Sequence, residues 1–442
     1  MTRKSPSNVS PLFGMSRRGF ITTASASAMP LILPRAGMAA PKTDADVIKI
    51  GLIGCGGRGT GAALQALNAE NGTVVLTAMA DTFPDKIESK LAVLKQALGE
   101  EGQDRVQVSD ANRFVGFNAF QQLIDSDVDV VLLATPPHFR PMMLEAAVAA
   151  GKHIFCEKPM AVDGPGVRRV LAAAAQAKEK GLNLVSGFCW RYHHKYRELY
   201  KEIHNGALGD LRAVYSTYLA APVQYKPYQE PWSEMEWHIR NWQATDWLSG
   251  DHVVEQAIHS LDKMAWAMQD VAPLSVTAIG GRQAREGVES GNIYDHFSAT
   301  FEYPGDVKGF HMARQMYGCS NDNSDWVYGE KGVATIHPWG GIFEINTGGE
   351  EPWSAEDVPC DMYQQEHDEL FASIRAGGVM NDGVWMAHST LLGIMTRMSA
   401  YSGQTVSFEQ ALNSQEVLGP QEYSWGAAPL SAPPIPGKHK FI

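Results

Sequence analysis

Long apolar runs are missing from this sequence. The most apolar stretch near its start, residues 21–33, is short and rich in Ser, Thr and Ala. A membrane-spanning helix needs about 20 consecutive, mainly apolar residues, and no later segment approaches that length. We therefore expect no membrane span.

Cysteine is scarce as well. The five cysteines are odd in number and widely spaced over 442 residues, so no zinc or disulfide pattern can be recognised. We expect no metal site. Cys55 and Cys156 fall within predicted elements, where a small buried thiol is the ordinary expectation.

Basic residues are outnumbered by acidic ones. The formal net charge is −12, and subtracting the five basic residues of the first forty positions, which hold no acidic residue, leaves −17 for the rest. An acidic body repels a phosphate backbone, and no basic stripe offsets that charge. We expect no nucleic-acid partner.

The basic start of the chain has the form of an export signal. Residues 16–21 (SRRGFI) are typical of a twin-arginine motif, and an apolar stretch and the small residues 37–40 (GMAA) follow. We predict a twin-arginine signal peptide over 1–40 and a periplasmic mature protein. The alternative is a disordered basic tail.

Strand and helix patterns alternate over residues 41–188. Apolar runs at 47–53, 74–80, 128–134, 153–156 and 182–186 are typical of buried parallel strands, and helical patterns separate them. Repeated units of this kind predict an α/β Rossmann domain with a doubly wound parallel sheet.

The pattern changes beyond residue 188. Six strand patterns lie between 211 and 337, and helical patterns cover 251–268 and 385–402. For 189–442 we predict an α+β domain with a large, mostly antiparallel open sheet, which binds substrate and supports oligomerisation.

A glycine-rich turn joins the first predicted strand to the first predicted helix. Its sequence at 54–59 is GCGGRG, and its candidate cofactor-binding residues are Gly54, Gly56, Gly57, Arg58 and Gly59. Alone the pattern is weak. Between a strand and a helix, glycines permit a tight turn and the close approach of a pyrophosphate, which the helix N-terminus attracts. The alternative is a glycine turn that binds nothing.

Asp81 closes the second predicted strand, 22 residues beyond Gly59. A carboxylate at this position accepts hydrogen bonds from the adenosine ribose and repels a 2′-phosphate. The sequence therefore favours NAD over NADP.

Two further turns follow predicted strands of the same sheet. Thr135, Pro136 and His138 come after the predicted strand at 128–134, and Glu157 and Lys158 come after the predicted strand at 153–156. Ligands of open parallel sheets bind at this carboxyl edge, so we expect these residues at the cofactor site.

The order of the motifs resembles the Gfo/Idh/MocA oxidoreductase family, which includes proteins similar to glucose–fructose oxidoreductase and inositol dehydrogenase. The motifs are GCGGRG at 54–59, TPPH at 135–138, EKP at 157–159, GFCWRY at 187–192, GALGD at 206–210 and the segment 249–262. The resemblance runs from about residue 46 to the C-terminus. Its specificity lies in the order and spacing of the motifs together.

This resemblance implies roles for several residues. Glu157 and Thr135 are expected near the nicotinamide-side ribose, Arg191 with the cofactor, and Tyr192 with the substrate. Lys158 is expected beside the substrate carbon that exchanges hydride, where an ammonium group stabilises a developing alkoxide. The alternative for Lys158 is a solvated surface lysine.

Glu255 and His259 are four residues apart on one predicted helix and are expected to share a face. In the family, an Asp usually lies four residues before a His that acts as a general base, and here Glu replaces that Asp. We expect His259 to be the base and Glu255 to orient it. Two alternatives are a structural histidine and a metal site that adds His252, which we also consider as a substrate contact.

Residues 225–247 are unusually rich in Trp and Tyr. Aromatic faces and polar edges suit a sugar ring, so Arg240 and Trp242 are candidate substrate contacts. A packed loop or an oligomer contact is an equally good interpretation.

Together these features predict an exported NAD-dependent oxidoreductase for a sugar or polyol. Export separates the enzyme from free NAD, so we expect the cofactor to stay bound and be regenerated in place. The alternatives are an NAD-dependent glycoside hydrolase or lyase without net redox change, and a sugar-binding protein without activity. We also expect a homo-oligomer.

Overall fold

Residues 46–70 and 72–441 are described by a computed structural model. The predicted signal peptide, residues 1–40, lies outside the described residues. Among the described residues, no helix is both long enough and apolar enough to cross a membrane.

Six parallel strands form the first sheet, in the order β3-β2-β1-β4-β5-β6. These strands are β1 (Ile48–Ile53), β2 (Val74–Asp81), β3 (Arg113–Val115), β4 (Val130–Leu133), β5 (His153–Cys156) and β6 (Leu184–Ser186). Most of their side chains are buried, as expected when helices cover both faces of a parallel sheet. The strand order reverses between β1 and β4, and such a switch point opens a crevice at the carboxyl edge.

Helices connect these strands. They are α1 (Gly57–Leu67), α2 (Pro84–Gly102), α3 (Ala119–Ile124), α4 (Arg140–Ala149) and α5 (Gly164–Glu179). The start of α5 shows how the sequence specifies such an element: the Asp163 side chain accepts a hydrogen bond from the Gly166 N–H, and a proline occupies the first turn.

Nine strands form the second sheet, in the order β14-β13-β12-β11-β7-β10-β9-β8-β15. They are β7 (Leu211–Ala220), β8 (Ser275–Gly281), β9 (His296–Glu302), β10 (Lys308–Gln315), β11 (Asp325–Gly329), β12 (Val333–His337), β13 (Ile342–Asn346), β14 (Trp353–Ser354) and β15 (Val406–Ser407). The neighbours β7 and β10 run parallel, and the other pairs are antiparallel.

Eight α-helices follow β6 in the described part of the chain, and only some of them pack against the second sheet. The eight are α6 (His194–His204), α7 (Glu234–Arg240), α8 (Asp246–Ser249), α9 (His252–Glu255), α10 (Ile258–Ala267), α11 (Met362–Arg375), α12 (Gly383–Ser402) and α13 (Phe408–Asn413). Burial alternates along β9, where Phe297, Ala299 and Phe301 are buried. On the opposite face, Ile279, Phe310 and Met312 are exposed.

The predicted fold class is confirmed: a parallel Rossmann sheet is followed by a large, mostly antiparallel sheet. The sequence patterns missed the short strands β3, β13, β14 and β15. The boundary predicted at residue 188 stays a prediction, because the chain beyond it also returns to the first sheet. There α11 packs on α1, and α12 packs on α5.

Candidate active site

The glycine-rich turn after β1 is shaped for the close approach of a ligand. Gly54 has φ 94°, and a Cβ there would lie 2.7 Å from the Ala134 backbone. A Cβ on Gly59 would lie 2.0 Å from the Gly54 carbonyl oxygen, so this glycine permits helix–strand packing. Cβ atoms on Gly56 and Gly57 would meet nothing within 4 Å. That open space faces the N-terminus of the eleven-residue helix α1, where a pyrophosphate fits.

The Asp81 carboxylate stands at the end of β2 beside this turn. It accepts hydrogen bonds from the Cys55 N–H at 2.7 Å and the Phe83 N–H at 3.0 Å. Burial raises the pKa of Asp81, and these two donors oppose that shift. The backbone therefore fixes the orientation of the carboxylate at the rim where an adenosine ribose would bind.

Arg58 and Glu157 join the turn to the end of β5. Arg58 Nε lies 2.7 Å from Glu157 Oε1, and its guanidinium lies 4.9 Å from the Tyr363 ring centroid. The Glu157 side chain is almost fully buried. The ion pair therefore connects the glycine-rich turn to the segment after β5 that also carries Lys158.

A crevice of about 410 Å³ connects these groups. Its lining includes ten of the residues proposed from the sequence: Gly54, Gly56, Gly57, Arg58, Asp81, Thr135, Pro136, Arg240, Trp242 and Glu255. It also includes residues that the sequence did not suggest, among them Phe83, Phe117, Lys226 and Gln243. Glycines on one wall and aromatic and charged side chains on the other suit a dinucleotide.

Lys158 and His259 lie near Glu255, which lines the crevice, although neither of these two residues lines it. Lys158 Nζ donates to the backbone oxygen of Glu255 at 2.5 Å, while Gln243 Nε2 donates to the Glu255 carboxylate at 3.3 Å. Burial lowers the pKa of His259 well below its ordinary value, and the nearby charges of Lys158 and Lys263 lower it further. His259 is therefore neutral at pH 7 and ready to accept a proton.

The helix predicted over 251–268 is broken, so Glu255 and His259 do not share a face of one helix. α9 ends at Glu255 and α10 begins at Ile258. Between them, the N–H groups of Gln256 and Ala257 both donate to the His252 carbonyl oxygen, at 3.0 and 2.9 Å. This widened turn moves His259 off the face that carries Glu255. The Lys158 ammonium binds the Glu255 backbone instead of its carboxylate.

Arg240 lies at the adenosine end of the crevice, away from the expected substrate position. Its guanidinium forms two hydrogen bonds with the Asp85 carboxylate, at 2.8 and 3.1 Å, and stacks 3.8 Å from the Phe83 centroid. Asp85 belongs to α2, which begins just beyond Asp81. Arg240 of the segment 225–247 therefore contacts the adenosine side, while Trp242 and Gln243 line the same crevice and Gln243 contacts Glu255. A sugar contact by this segment stays a prediction.

Eight proposed site residues are not among those that line the crevice: Gly59, His138, Glu157, Lys158, Arg191, Tyr192, His252 and His259. Arg191 Nε donates to Asp262 and its terminal nitrogens pair with Asp270, so two carboxylates hold it within the fold. The Tyr192 hydroxyl donates to Asp382 at 2.7 Å. Both are buried, and we reassign them from ligand contacts to positioning of the segment after β6.

His138 and His252 also lie outside the crevice lining; His252 is buried, and His138 is partly buried. His138 Nε2 lies 2.7 Å from the Tyr423 hydroxyl, and burial lowers the pKa of His138 to about 4. His252 packs beside Phe297 with no hydrogen-bond partner for either ring nitrogen among the described residues. Within residues 46–70 and 72–441, no group of three or more His, Cys, Asp or Glu residues could hold a metal ion, so His252, Glu255 and His259 do not form such a site.

A C-terminal strap, residues 419–428, packs against the crevice wall, and none of its residues was proposed for the site from the sequence. Trp425 contacts Phe117 and Phe83 with ring centroids 4.7 and 5.7 Å apart, and both phenylalanines line the crevice. The Met235 N–H of α7 donates to the Gly426 carbonyl oxygen at 2.9 Å. The aromatic residues of this tail were the only available signal.

Glu366 on α11 was also unforeseen. It is fully buried, and neither carboxylate oxygen has a hydrogen-bond partner among the described residues. Burial, followed by the nearby Glu157 carboxylate, raises the pKa of Glu366 well above its ordinary value. When Glu366 is protonated, it does not compete with Glu157 for the positive charge of Arg58.

Comparison with known proteins agrees with this geometry. Residues 48–186 match the family model for the Gfo/Idh/MocA oxidoreductases with an NAD-binding Rossmann fold, and residues 196–335 match the C-terminal domain model of the same family.

Individual relatives are more distant. The chain is 30% identical to dTDP-3,4-didehydro-2,6-dideoxy-alpha-D-glucose 3-reductase of Actinomadura kijaniata, over 40% of this chain and 48% of the relative. It thus spans about half the length of that protein. It is 28% identical to inositol 2-dehydrogenase of Rhizobium meliloti, over 68% of this chain and 79% of the relative.

Among solved structures, levoglucosan dehydrogenase in complex with NADH and levoglucosan superposes with a TM-score of 0.65 at 18% identity, covering 83% of this chain and 100% of the other. This likeness supports the fold. The two family models together cover more than half of the chain, and the crevice has the glycines and the ribose-binding carboxylate that NAD requires. The protein therefore belongs to the Gfo/Idh/MocA family of NAD-binding oxidoreductases.

Proposed function

We propose that this protein oxidises a hydroxyl group of a sugar or polyol, with an NAD that stays bound. The observation that carries the proposal is the proximity of the Lys158 amine and the His259 imidazole, next to Glu255 of the NAD crevice. Relatives named for inositol and levoglucosan oxidation support the substrate class.

Each residue of the pair has a defined task. Bound NAD supplies the hydride acceptor. Lys158 is oriented by its hydrogen bond to the Glu255 backbone, and its positive charge stabilises the oxygen of a reacting hydroxyl. His259 is neutral because of burial and the two nearby lysine charges, so its imidazole accepts the hydroxyl proton.

The covering of the adenosine end supports a cofactor that is retained during turnover. The strap places Trp425 on two phenylalanines of the crevice wall. From the other side, Arg240 connects α7 to α2 through Asp85. Release of NAD requires both covers to move, and this would suit an enzyme exported by a twin-arginine signal to the periplasm, where we place the protein.

A direct test uses the protein purified without added cofactor. Bound nicotinamide is first released by denaturation and quantified. The native protein is then mixed with D-glucose or myo-inositol while the absorbance of reduced nicotinamide is followed, and a second carbonyl compound such as D-fructose is added. Reduction by the first sugar and reoxidation by the second support the proposal. Absence of bound nicotinamide contradicts retention.

A redox-neutral glycoside hydrolase or lyase is the second candidate. The covered cofactor favours it, because returning the hydride to the same substrate requires no exchange of NAD. Transient oxidation of a hydroxyl to a ketone acidifies a neighbouring C–H, so the glycosidic bond breaks by elimination and the aglycone leaves. Paired carboxylates at glycosidase separation are therefore unnecessary. Steady release of nitrophenol from nitrophenyl glycosides, without any added acceptor, would select this candidate over the first.

The open face of the second sheet supports self-association. Ile279, Phe310, Met312 and Tyr328 are exposed on its strands, and an extended apolar surface on a soluble protein is typical of an interface. A second copy that presents the same face is the simplest partner. Light scattering after size-exclusion chromatography tests this, and Phe310→Lys should shift the population toward monomer.

A further inference from the structure

A second cavity lies at the end of β7, outside the NAD crevice. It measures about 480 Å³, and β7, the loop 321–324 and the turn after β12 form its walls. Its lining includes Tyr218, Asn321, Asn323, His337 and Trp339. The sequence interpretation proposed none of these residues.

Hydrogen bonds connect this cavity to α10, the helix that carries His259. Asn323 Oδ1 accepts from Ser260 Oγ at 3.1 Å and from Lys263 Nζ at 3.2 Å. Ser260 follows His259 directly on α10, and the charge of Lys263 is one of those that lower the pKa of His259. One wall of the cavity is therefore held against the helix that carries the reacting imidazole.

Tyr218 stands between the two cavities. It lines the second cavity, while its phenol is close enough to Glu255, a residue of the first, to be influenced by that carboxylate. Its hydroxyl has no protein hydrogen bond within the described part of the chain. A ligand that reaches from Lys158 into the second cavity passes this hydroxyl.

Trp339 gives the cavity an aromatic platform. It packs edge-on against Trp190, with ring centroids 5.7 Å apart and an interplanar angle of 74°, yet 76% of its surface is exposed. An exposed tryptophan supported by a second one presents a rigid apolar face. The CH face of a pyranose ring is the complementary surface.

The amide groups provide the polar rim. Because both donors occupy the Asn323 oxygen, the amide plane is held and its nitrogen remains to donate to a ligand hydroxyl. Asn321 is exposed at the same rim, and His337 Nδ1 is held by Ser324 Oγ at 2.5 Å. Few charges and several fixed amide and aromatic groups indicate a neutral, hydroxyl-rich ligand.

We propose that the second cavity is a sugar subsite, and that the substrate is a glycoside of at least two units. One ring reacts between Lys158 and His259, and the next ring stacks on Trp339 and binds Asn323. This inference rests on the proposed function for its reacting end. A free monosaccharide held at Lys158 would leave the cavity of about 480 Å³ unused.

Binding is measured first, because it does not depend on turnover. Lys158→Ala protein with its bound NAD is titrated calorimetrically with cellobiose, maltose and D-glucose. We expect at least one disaccharide to bind about tenfold or more tightly than glucose, which corresponds to ~1.4 kcal/mol. Trp339→Ala in the same background should remove that advantage, and Trp339→Phe should keep most of it. Trp353→Ala, at an exposed tryptophan of β14 that lines neither cavity, is the matched control and should change nothing.

Turnover then separates this inference from the proposed function. With Lys158 intact, Trp339→Ala should lower kcat/KM for the favoured disaccharide at least tenfold more than for glucose. A subsite is refuted if no disaccharide binds more tightly than glucose, or if Trp339→Ala weakens both sugars equally. Trp339-dependent disaccharide binding without reduction of NAD by any sugar would retain the subsite and contradict the oxidation.

Discussion

Replacement of Lys158 by Met tests the assignment of the active site most directly. Met keeps the length of the side chain and removes its charge and its 2.5 Å hydrogen bond to the Glu255 carbonyl oxygen. Losing one preorganised donor to a developing oxyanion costs roughly 10²- to 10³-fold in kcat, or about 2.7–4 kcal/mol. We expect a loss of that size in the reduction of bound NAD by sugar.

The same substitution has a second effect with a defined sign. Lys158 is one of two cations that lower the pKa of His259, so its removal raises that pKa. Since His259 must be neutral to accept a proton, the acidic limb of the kcat/KM profile should move to higher pH. Bound NAD should remain at the wild-type level.

Stopped-flow absorbance across a pH series gives both quantities, and Lys95→Met, at an exposed position on α2, is the control. A loss of less than tenfold would refute a catalytic Lys158. A limb that moves to lower pH would contradict its electrostatic coupling to His259. Loss of NAD from the variant would show that Lys158 supports the cofactor and not the substrate.

Three further predictions follow from the described contacts. Trp425→Ala removes two aromatic contacts from the crevice wall, each worth about 0.5–1.5 kcal/mol, so NAD release should be roughly 5- to 150-fold faster. The retention of NAD through gel filtration measures this rate, and an unchanged rate contradicts a role of the strap in holding NAD. Asp81→Ser removes the carboxylate that repels a 2′-phosphate, so the ratio of the NADP and NAD dissociation constants, measured with cofactor-depleted protein, should fall about tenfold or more, and an unchanged ratio contradicts that role. Burial raises the pKa of Asp251 to about 7, above its value in the unfolded chain, so its contribution to stability is complete below about pH 4 and is lost as pH rises toward 7. In urea titrations, the free energy of unfolding of Asp251→Asn should therefore decline less over this pH range than that of the wild type. An equal decline in the two proteins contradicts the pKa shift.

Local patterns predicted the parts of this protein that depend on neighbouring residues. Buried apolar runs identified five strands of the parallel sheet, because strands covered on both faces are apolar throughout. The turn at 54–59 identified the dinucleotide crevice, because Gly54 and Gly59 are positions where a side chain would collide with the backbone. The short edge strand β3 has only three residues, too few for such a pattern.

Helical spacing was a poor guide at Glu255 and His259. An uninterrupted helix would place them on one face, but the widened turn at Gln256 and Ala257 separates them. Spacing also could not show that Arg191 pairs with Asp262 and Asp270. A buried arginine needs carboxylate partners, and those lie about seventy residues away in sequence.

The amino-acid sequence by itself determined the fold class, the family and the identity of the cofactor, because each depends on motifs whose residues are close together along the chain. Only the tertiary structure decided which side chains surround the reacting groups. It carried Arg240 and Trp425 to the adenosine end and connected Asn323 to α10, the helix of His259, through contacts between residues far apart in sequence. Such contacts depend on how helices and sheets pack, and no local pattern of residues encodes them.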